Sequence, residues 1–576
     1  MDYIKRYEQW IEDPYFDEQT RRELLSIKDN PGEIEDRFYK DLEFGTGGLR
    51  GKIGAGTNRM NIYTVRRATQ GLADYIKAQS DYAHLGVVIA YDSRIKSKEF
   101  AYEAAKVLSG NGIKAYIFED IAPTPLLSFA VRELGAIAGV VITASHNPPQ
   151  YNGYKVYWQD GGQIVPRIAK EITAVIKRVD SLSDIPVMGV EKARHKGFIN
   201  ILKDDMVDKY LDRVVALTLN RDVVKDMAGS LRVIYTPLHG TGYRPITRAL
   251  DRLGYSQVRV VKAQAAPDGR FPTVEYPNPE DPRAFDLAME MAAQEDADLL
   301  IATDPDCDRV GVAVKDDTGK FIVLTGNQTG ALLLEYILSS LKDSGRLPQR
   351  GVMIKTIVTS RLGDAIAAGY GVETVNTLTG FKYIGEKILE YEQTGDKKFL
   401  FGYEESYGYL AGTYTRDKDG VGATVLICEM ASAYKAKGMT LYQGLMELYE
   451  KYGYYKEQLT SLTLEGRDGM KTMDRIMTQL RQNPPVAING IDLVVKEDYL
   501  LGKRYFLKDG NRQEITLPRE NVLHFTLEDG SWFCIRPSGT EPKIKIYVSV
   551  VGNSLEHARC KCEQLMEGVM ARIKPD

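Results

Sequence analysis

LGVVIAYDSRIKSKEFAYEAAKVLSGNGIKAYIF, residues 85–118, is the stretch whose reading decides the fold. VVIAY is a short apolar run closed by polar residues, the pattern of a buried strand. SKEFAYEAAKVLSGNG is a helical pattern stopped by glycine, and IKAYIF is a second strand. A helix opening at TPLLSFAVREL leads to a third strand, AIAGVVITASHNP (136–148).

The same order recurs. LRVIYTPLHG (231–240), PITRALDRLG, QVRVV, a helix around DPRAFDLAMEMAA and DLLIATDPDCDR repeat it. A third copy runs from GVMIKTIVTS (351–360) through RLGDAIAAG, VETVNT and FKYIGEKILEYEQTG to KKFLFGYEESYG. Strands alternating with helices imply parallel sheets, whose ligand loops lie at the carboxyl ends of strands. In each copy the third strand ends in the loop with the oddest chemistry: ASHNP, DPDCDR and GYEES.

Past about residue 447 the pattern changes. Helix MKTMDRIMTQLR, strands IDLVV, VLHFTL, WFCIR and KIKIYVSV, and helix EHARCKCEQLMEGVMARI read as a smaller α+β domain with an antiparallel sheet. The expectation is four domains: three similar α/β domains over 1–203, 204–317 and 318–446, and an α+β domain over 447–576. A chain of 576 residues exceeds one ordinary core, which agrees.

Hydrophobic residues make up 43% and charged residues 27%, and the formal net charge is -4. That balance is globular and gives no reason to expect nucleic acid or anionic membrane as a partner. The apolar run AIAGVVI is strand-sized, and MDYIKRYEQWIEDPYF lacks the apolar segment of a signal peptide. Five scattered cysteines imply no disulfide framework, and the expected location is the reducing cytoplasm.

Asp304, Asp306 and Asp308 alternate just after a strand, so three carboxylates crowd one loop and repel unless a cation neutralises them. Three between the apolar runs LLIA and VGVAV favour a hard cation such as Mg²⁺ over a solvated acidic turn. An EF-hand is excluded by Arg309 at its sixth position and Lys315 at its twelfth. An aspartyl-phosphatase reading with Asp304 as nucleophile leaves ASHNP unexplained. RPSGTEPKIKIY (536–547) lies between two strands. Its Arg536, Ser538, Gly539 and Thr540 suit anion capture, with charge added by Lys543 and Lys545, although Pro, Ser and Gly also build plain turns. Glu404 and Ser406 of GYEESYG could read a polyol or form an acidic turn. GTGGLRGKIGAGTNRM (45–60) is Gly-rich and basic, a candidate phosphate-side flap or, more plainly, a flexible loop with Arg50 excepted; it misses a Walker A motif at Thr46 and Ile53. TASHNPPQYNGYK (143–155) is no G-x-S-x-G elbow, and a sequence-adjacent histidine is poorly placed as a base. Taken alone, Ser145 is a turn residue; its place in the repeat argues otherwise.

Together, TASHNP, DPDCDR, GYEES and RPSGTEPK resemble, in that order, the four signature loops of the α-D-phosphohexomutases, over essentially the whole chain. GYEESYGYL, TGFKY and EFGTGGLRG are most similar to the long phosphoglucomutase branch, which includes phosphopentomutases and glucose-1,6-bisphosphate synthases. The resemblance implies four domains around a central cleft. It also implies a phosphoserine at Ser145 and one Mg²⁺ held by that group with Asp304, Asp306 and Asp308. Arg309 would lie near the phosphoserine, His146 would support the transfer loop, and Arg50 and Lys155 would do acid/base work. A neighbouring arginine and Mg²⁺ would depress the Lys155 pKa. Arg536, Ser538, Gly539, Thr540 and Lys545 would hold the non-transferring phosphate, and Glu404 and Ser406 the sugar, with Lys382 assisting.

The implied reaction interconverts glucose 1-phosphate and glucose 6-phosphate through glucose 1,6-bisphosphate, which is also the activator. Sugar phosphates are the implied partners, and a monomer or weak homodimer the expected assembly. Phosphopentomutase or bisphosphate synthase are alternatives. Lys382, where the phosphomannomutase branch has histidine, argues against mannose. A catalytically dead sugar-phosphate binder is disfavoured because Ser145, the aspartates, Arg50 and Lys155 are all present. Cys307 occupies a position more often small.

Overall fold

The computed structural model describes residues 2–45, 47–79, 84–464, 469–538 and 543–573. The segments of the opening stretch take the forms their patterns predict: strand Val87–Tyr91, helix Ser97–Gly110 and strand Ala115–Phe118. Helix Thr124–Leu134 and strand Ala138–Ile142 complete the unit. These three strands and Ile199–Leu202 pair in parallel. All five residues of Val87–Tyr91 are buried, as a strand covered on both faces requires. The second copy repeats this, with Val233–Thr236 parallel to both Val258–Val260 and Leu299–Thr303. The third gives strands Gly351–Thr356, Glu373–Thr377 and Lys398–Glu404, with helices Leu362–Gly369 and Phe381–Thr394 between them.

The sheets are mixed, not parallel throughout. After each signature loop the chain turns straight back. Ala138–Ile142 pairs antiparallel with Tyr151–Trp158, Leu299–Thr303 with Val310–Lys315, and Lys398–Glu404 with Gly408–Ala411. The reason is loop length: a parallel return needs a crossover of a dozen or more residues, so a strand following a shorter loop must run antiparallel. Each signature loop is therefore a hairpin tip held at both ends by backbone ladders. Part of the Gly-rich stretch is likewise strand and not loop. Gly48–Lys52 forms an edge strand of the first sheet, with Arg50 opposite Gly153.

The C-terminal domain is an antiparallel sheet, as expected, in the order Tyr454–Thr463, Lys543–Gly552, Trp532–Pro537, Leu523–Leu527, Ile491–Asp498, Lys503–Phe506 and Arg512–Glu514. Phe525, Phe533, Ile535 and Ile546 pack with Met477 of helix Gly469–Gln482 and with Leu565 and Val569 of helix Leu555–Ile573. Cys560 is exposed and Cys562 buried on that last helix. The described chain falls into two compact units, residues 1–353 with 380–442, and residues 354–379 with 443–576. No helix among the described residues is long and apolar enough to cross a membrane.

Candidate active site

Ser145 sits at the tip of the first hairpin with φ +51°, a left-handed conformation that costs a non-glycine residue of order 1 kcal/mol. Surrounding bonds enforce it. The Ser145 amide donates to Thr143 Oγ1 at 2.8 Å. Arg94, fully buried, donates to the carbonyls of Ser145, Asn147, Pro148 and Tyr151, so one guanidinium spans the loop. Gly153 is required in the returning strand because a Cβ there would stand 2.5 Å from the Thr143 carbonyl oxygen.

The serine hydroxyl donates to Asp304 Oδ2 at 2.7 Å, which brings the first and second signature loops together. His146 Nδ1 lies 3.1 Å from the same hydroxyl oxygen, closer than adjacency in sequence led one to expect. With the hydroxyl proton directed to Asp304, the histidine fits as an Nδ1–H donor. Burial, then the Arg309 and Arg50 charges, holds its pKa well below the usual value, so it stays neutral.

The three aspartates are buried, with carboxylate oxygens within 4.8 Å of one another. Three consecutive carbonyls of their loop each accept a bond from a different repeat. Thr241 N–H donates to Pro305, Thr124 N–H to Asp306 and Gly420 N–H to Cys307. Cys307 adopts φ +52° there, and burial pushes its thiol pKa well up. Its side chain fills the space beside Gly242 and Gly420, where a Cβ would approach Sγ to 2.9 and 3.2 Å.

Asp304 Oδ1 accepts the amides of Asp308 and Arg309. Asp306 Oδ2 accepts from Thr124 Oγ1 at 2.9 Å and Lys155 Nζ at 2.8 Å. Asp306 Oδ1 and Asp308 Oδ1 are buried without a hydrogen bond. Orphaned carboxylate oxygens in a tight buried trio suit a hard divalent cation, so the donor set fits the expected metal. Burial, followed by the Asp306 and Asp308 charges, raises the Asp304 pKa well above the usual range. Burial opposes ionisation of Asp306 too, but the charge and hydrogen bond of Lys155 hold it far below that range.

Lys155 lies 3.6 Å from Asp308 as well. Burial disfavours its ammonium, yet the two aspartates outweigh burial, Lys418 and Arg50, and its pKa rises. Arg50 and Lys418 act to lower it, as expected of neighbouring cations, but without a cation on the aspartates the carboxylates prevail. Arg50 is itself lowered by burial and reaches Asn147 Oδ1 at 3.4 Å. Arg309 pairs with Glu280 and has Nε 3.9 Å from Asp308 Oδ1.

The third loop joins the same unit. Glu404 is buried, accepts the Gly380 amide at 3.0 Å, and has its pKa pushed up by burial to about 7. Ser406 is half-buried in the turn. Lys382 is the second residue of helix Phe381–Thr394, its ammonium 5.1 Å from the Tyr383 ring centre. In the other unit, Arg536 pairs with Glu520 at 3.2 Å and stands opposite Lys545, and Ser538 N–H donates to the Lys543 carbonyl at 2.7 Å. Gly539 and Thr540 lie outside the described residues.

Sequence reasoning missed three groups. Arg94 closes the first strand, and Thr124 opens the helix after the second. The third is TRDKDG, just before helix Gly420–Ala436, where Lys418 pairs with Asp308 and Asp417, and Asp417 accepts Tyr157 Oη at 2.6 Å. The available signal was a run of charges opening an apolar helix, GVGATVLICEM.

Residues 41–183, 208–319, 325–452 and 491–561 match, in order, domains I, II, III and the C-terminal domain of the phosphoglucomutase/phosphomannomutase family. A phosphoglucomutase of Staphylococcus haemolyticus is 38% identical over 91% of this chain and 92% of its own. One from Staphylococcus aureus strain USA300 is 40% identical over 90% and 91%. Among solved structures, the open form of the Paramecium phosphoprotein pp63/parafusin, a phosphoglucomutase, superposes with TM-score 0.70 at 16% identity, covering 93% of this chain and 96% of that one. A Burkholderia thailandensis member of the family gives 0.65 at 20% identity, covering 92% and 98%; both show the shared fold. The chain thus belongs to the phosphoglucomutase/phosphomannomutase family within the α-D-phosphohexomutase superfamily, in its phosphoglucomutase branch.

Proposed function

We propose that this protein is a phosphoglucomutase that interconverts glucose 1-phosphate and glucose 6-phosphate through a phosphoserine at Ser145. The observation that carries the reading is the 2.7 Å bond from Ser145 Oγ to Asp304, which sets a hydroxyl on a buried trio of carboxylates. In the first transfer the Ser145 Oγ–P bond breaks as a sugar oxygen–P bond forms, and the sugar hydroxyl's proton passes to the protein. Glucose 1,6-bisphosphate results. In the second the bisphosphate's other sugar oxygen–P bond breaks as the Ser145 Oγ–P bond re-forms; the serine hydroxyl gives its proton to the protein and the freed sugar oxygen takes one up, releasing the isomeric monophosphate.

Asp304, Asp306 and Asp308 would hold one Mg²⁺ per chain, which supplies charge neutralisation to the transferring phosphoryl group. Arg50 and Lys155 handle the proton, and Lys155 adds charge beside the aspartates. His146 orients the serine hydroxyl, and Arg309 holds the metal loop through Glu280. Glu404, Ser406 and Lys382 take the sugar. Arg536, Ser538, Gly539, Thr540 and Lys545 take the phosphate that is not transferred. The same reading makes glucose 1,6-bisphosphate the activator and the protein a monomer or weak homodimer. It places the enzyme in the reducing cytoplasm, consistent with five cysteines of which none is disulfide-bonded.

A coupled assay over glucose, mannose and ribose 1-phosphates, with and without the bisphosphate, tests this. The expected result is the highest kcat/KM for glucose 1-phosphate, dependence on bisphosphate, and loss of turnover in Ser145→Ala. A higher value for ribose 1-phosphate overturns the substrate, and near-normal turnover by Ser145→Ala overturns the phosphoserine.

A further inference from the structure

Within the second unit, segment 354–379 and one face of the C-terminal sheet enclose a cavity of about 570 Å³, inside the size range of small-molecule sites. Its lining follows from strand alternation. Phe525, Phe533 and Ile535 point to the helix-covered core, while His524, Thr526 and Trp532 face the cavity between them. A sheet face that only packs would bury apolar side chains; this one buries polar and charged groups. Lys355 is 3% exposed and pairs with Asp364 at 3.0 Å. Glu497 pairs with Arg504 at 2.6 Å. His524 is 4% exposed, and its Nδ1 makes no hydrogen bond although the Glu497 carboxylate is 3.3 Å away.

The lining carries three cations, Lys355, Arg361 and Arg504, and three carboxylates, Asp364, Glu497 and Glu514, and Arg361 is the cation whose bonds go elsewhere. Arg361 donates to the Gly530 carbonyl at 3.1 Å and to Thr526 Oγ1 at 3.2 Å, both neutral acceptors. Among the described residues no carboxylate lies within ion-pair distance of it. Asp364 and Glu497 act on this half-buried guanidinium only from beyond ion-pair distance, and its planar fork is well shaped for an anion. The unpartnered imidazole nitrogen and the Glu497 carboxylate offer a donor and an acceptor to hydroxyl groups.

We propose that this cavity is a second ligand site that binds a small anionic polyol of the sugar-phosphate or sugar-acid class. Arg361 takes the anionic group, and Glu497 and His524 take hydroxyls. None of these residues belongs to the proposed phosphoryl-transfer machinery, so the occupant is an effector and not the substrate in turnover.

Calorimetry on the full-length protein with ribose 5-phosphate and with gluconate tests this and separates phosphate from carboxylate. Arg536→Ala serves as background, to weaken the proposed substrate-phosphate site. The expected result is saturable binding of at least one probe that Arg361→Gln weakens about tenfold or more, as loss of a charged contact should, and Arg361→Lys weakens less. Arg361→Gln alone should leave thermal stability and turnover without probe unchanged. No binding of either probe, or binding indifferent to Arg361→Gln, overturns the proposal. Loss of basal turnover in Arg361→Gln also overturns it, by making the cavity part of the catalytic site. Failure of the glucose assay would sink the proposed reaction and leave this binding result standing.

Discussion

Lys418 Nζ lies 3.1 Å from Asp308 Oδ2 and 3.0 Å from Asp417 Oδ1, tying a carboxylate of the buried aspartate trio of the second repeat to a segment of the third. The ammonium is buried, and the Asp308 and Asp417 charges overcome burial to raise its pKa. Lys418→Met removes that cation and leaves both carboxylates short of counter-charge. Breaking a buried pair from one side costs about 3 kcal/mol or more. The unfolding midpoint should fall clearly, and kcat should drop about a hundredfold as Asp308 loses its position. Wild-type stability and rate in Lys418→Met would show that the pair holds nothing.

Arg94 supports the serine from behind, with four loop carbonyls on one guanidinium and the Phe271 ring 4.9 Å away. Lysine keeps the charge but lacks the planar fork that reaches several acceptors. Arg94→Lys should therefore loosen the φ +51° conformation of Ser145 more than it perturbs substrate binding. The expected outcome is a kcat lower by about a hundredfold, as small misplacements of reacting groups give, with KM within a few fold. A change confined to KM would count against the positioning role.

Ser145, the aspartates and Glu404 were legible because each follows an apolar strand, and strand ends are where α/β folds put their chemistry. Arg94, Thr124 and Lys418 were not. A charged side chain shows its type in the sequence but not its partner, and Lys418 meets Asp308 from a distant part of the chain. The hairpin return after each loop was legible in principle from loop length, but the alternation of strands and helices masked it. The partners of Lys155 were hidden for a related reason: only the geometry shows two carboxylates against its ammonium.

Glu404 links the proposed sugar contact to pH. Burial raises its pKa to about 7, so the carboxylate proposed to accept sugar hydroxyls is progressively protonated as pH falls through neutrality. Glu404→Gln keeps an acceptor for the Gly380 amide but has no titration. The ratio of wild-type to Glu404→Gln KM should rise as pH drops from 8 to 6, since the phosphate group of the substrate titrates equally in both. A ratio flat over that range would remove Glu404 from the sugar site.

His524 makes a matching prediction for stability in acid. Burial lowers its pKa to about 4 in the folded protein, against 6.5 for an unperturbed imidazole. The unfolded chain thus takes up the proton first as pH falls. Stability from this group is intact above pH 6.5 and lost progressively toward pH 4, by about 3 kcal/mol in all. His524→Gln cannot take up that proton. Denaturant unfolding of the two proteins between pH 7 and 4.5 should show the wild type losing more stability than the variant, with the gap opening below pH 6.5. Parallel losses would mean that His524 is protonated in the fold without penalty, most directly through the Glu497 carboxylate 3.3 Å away.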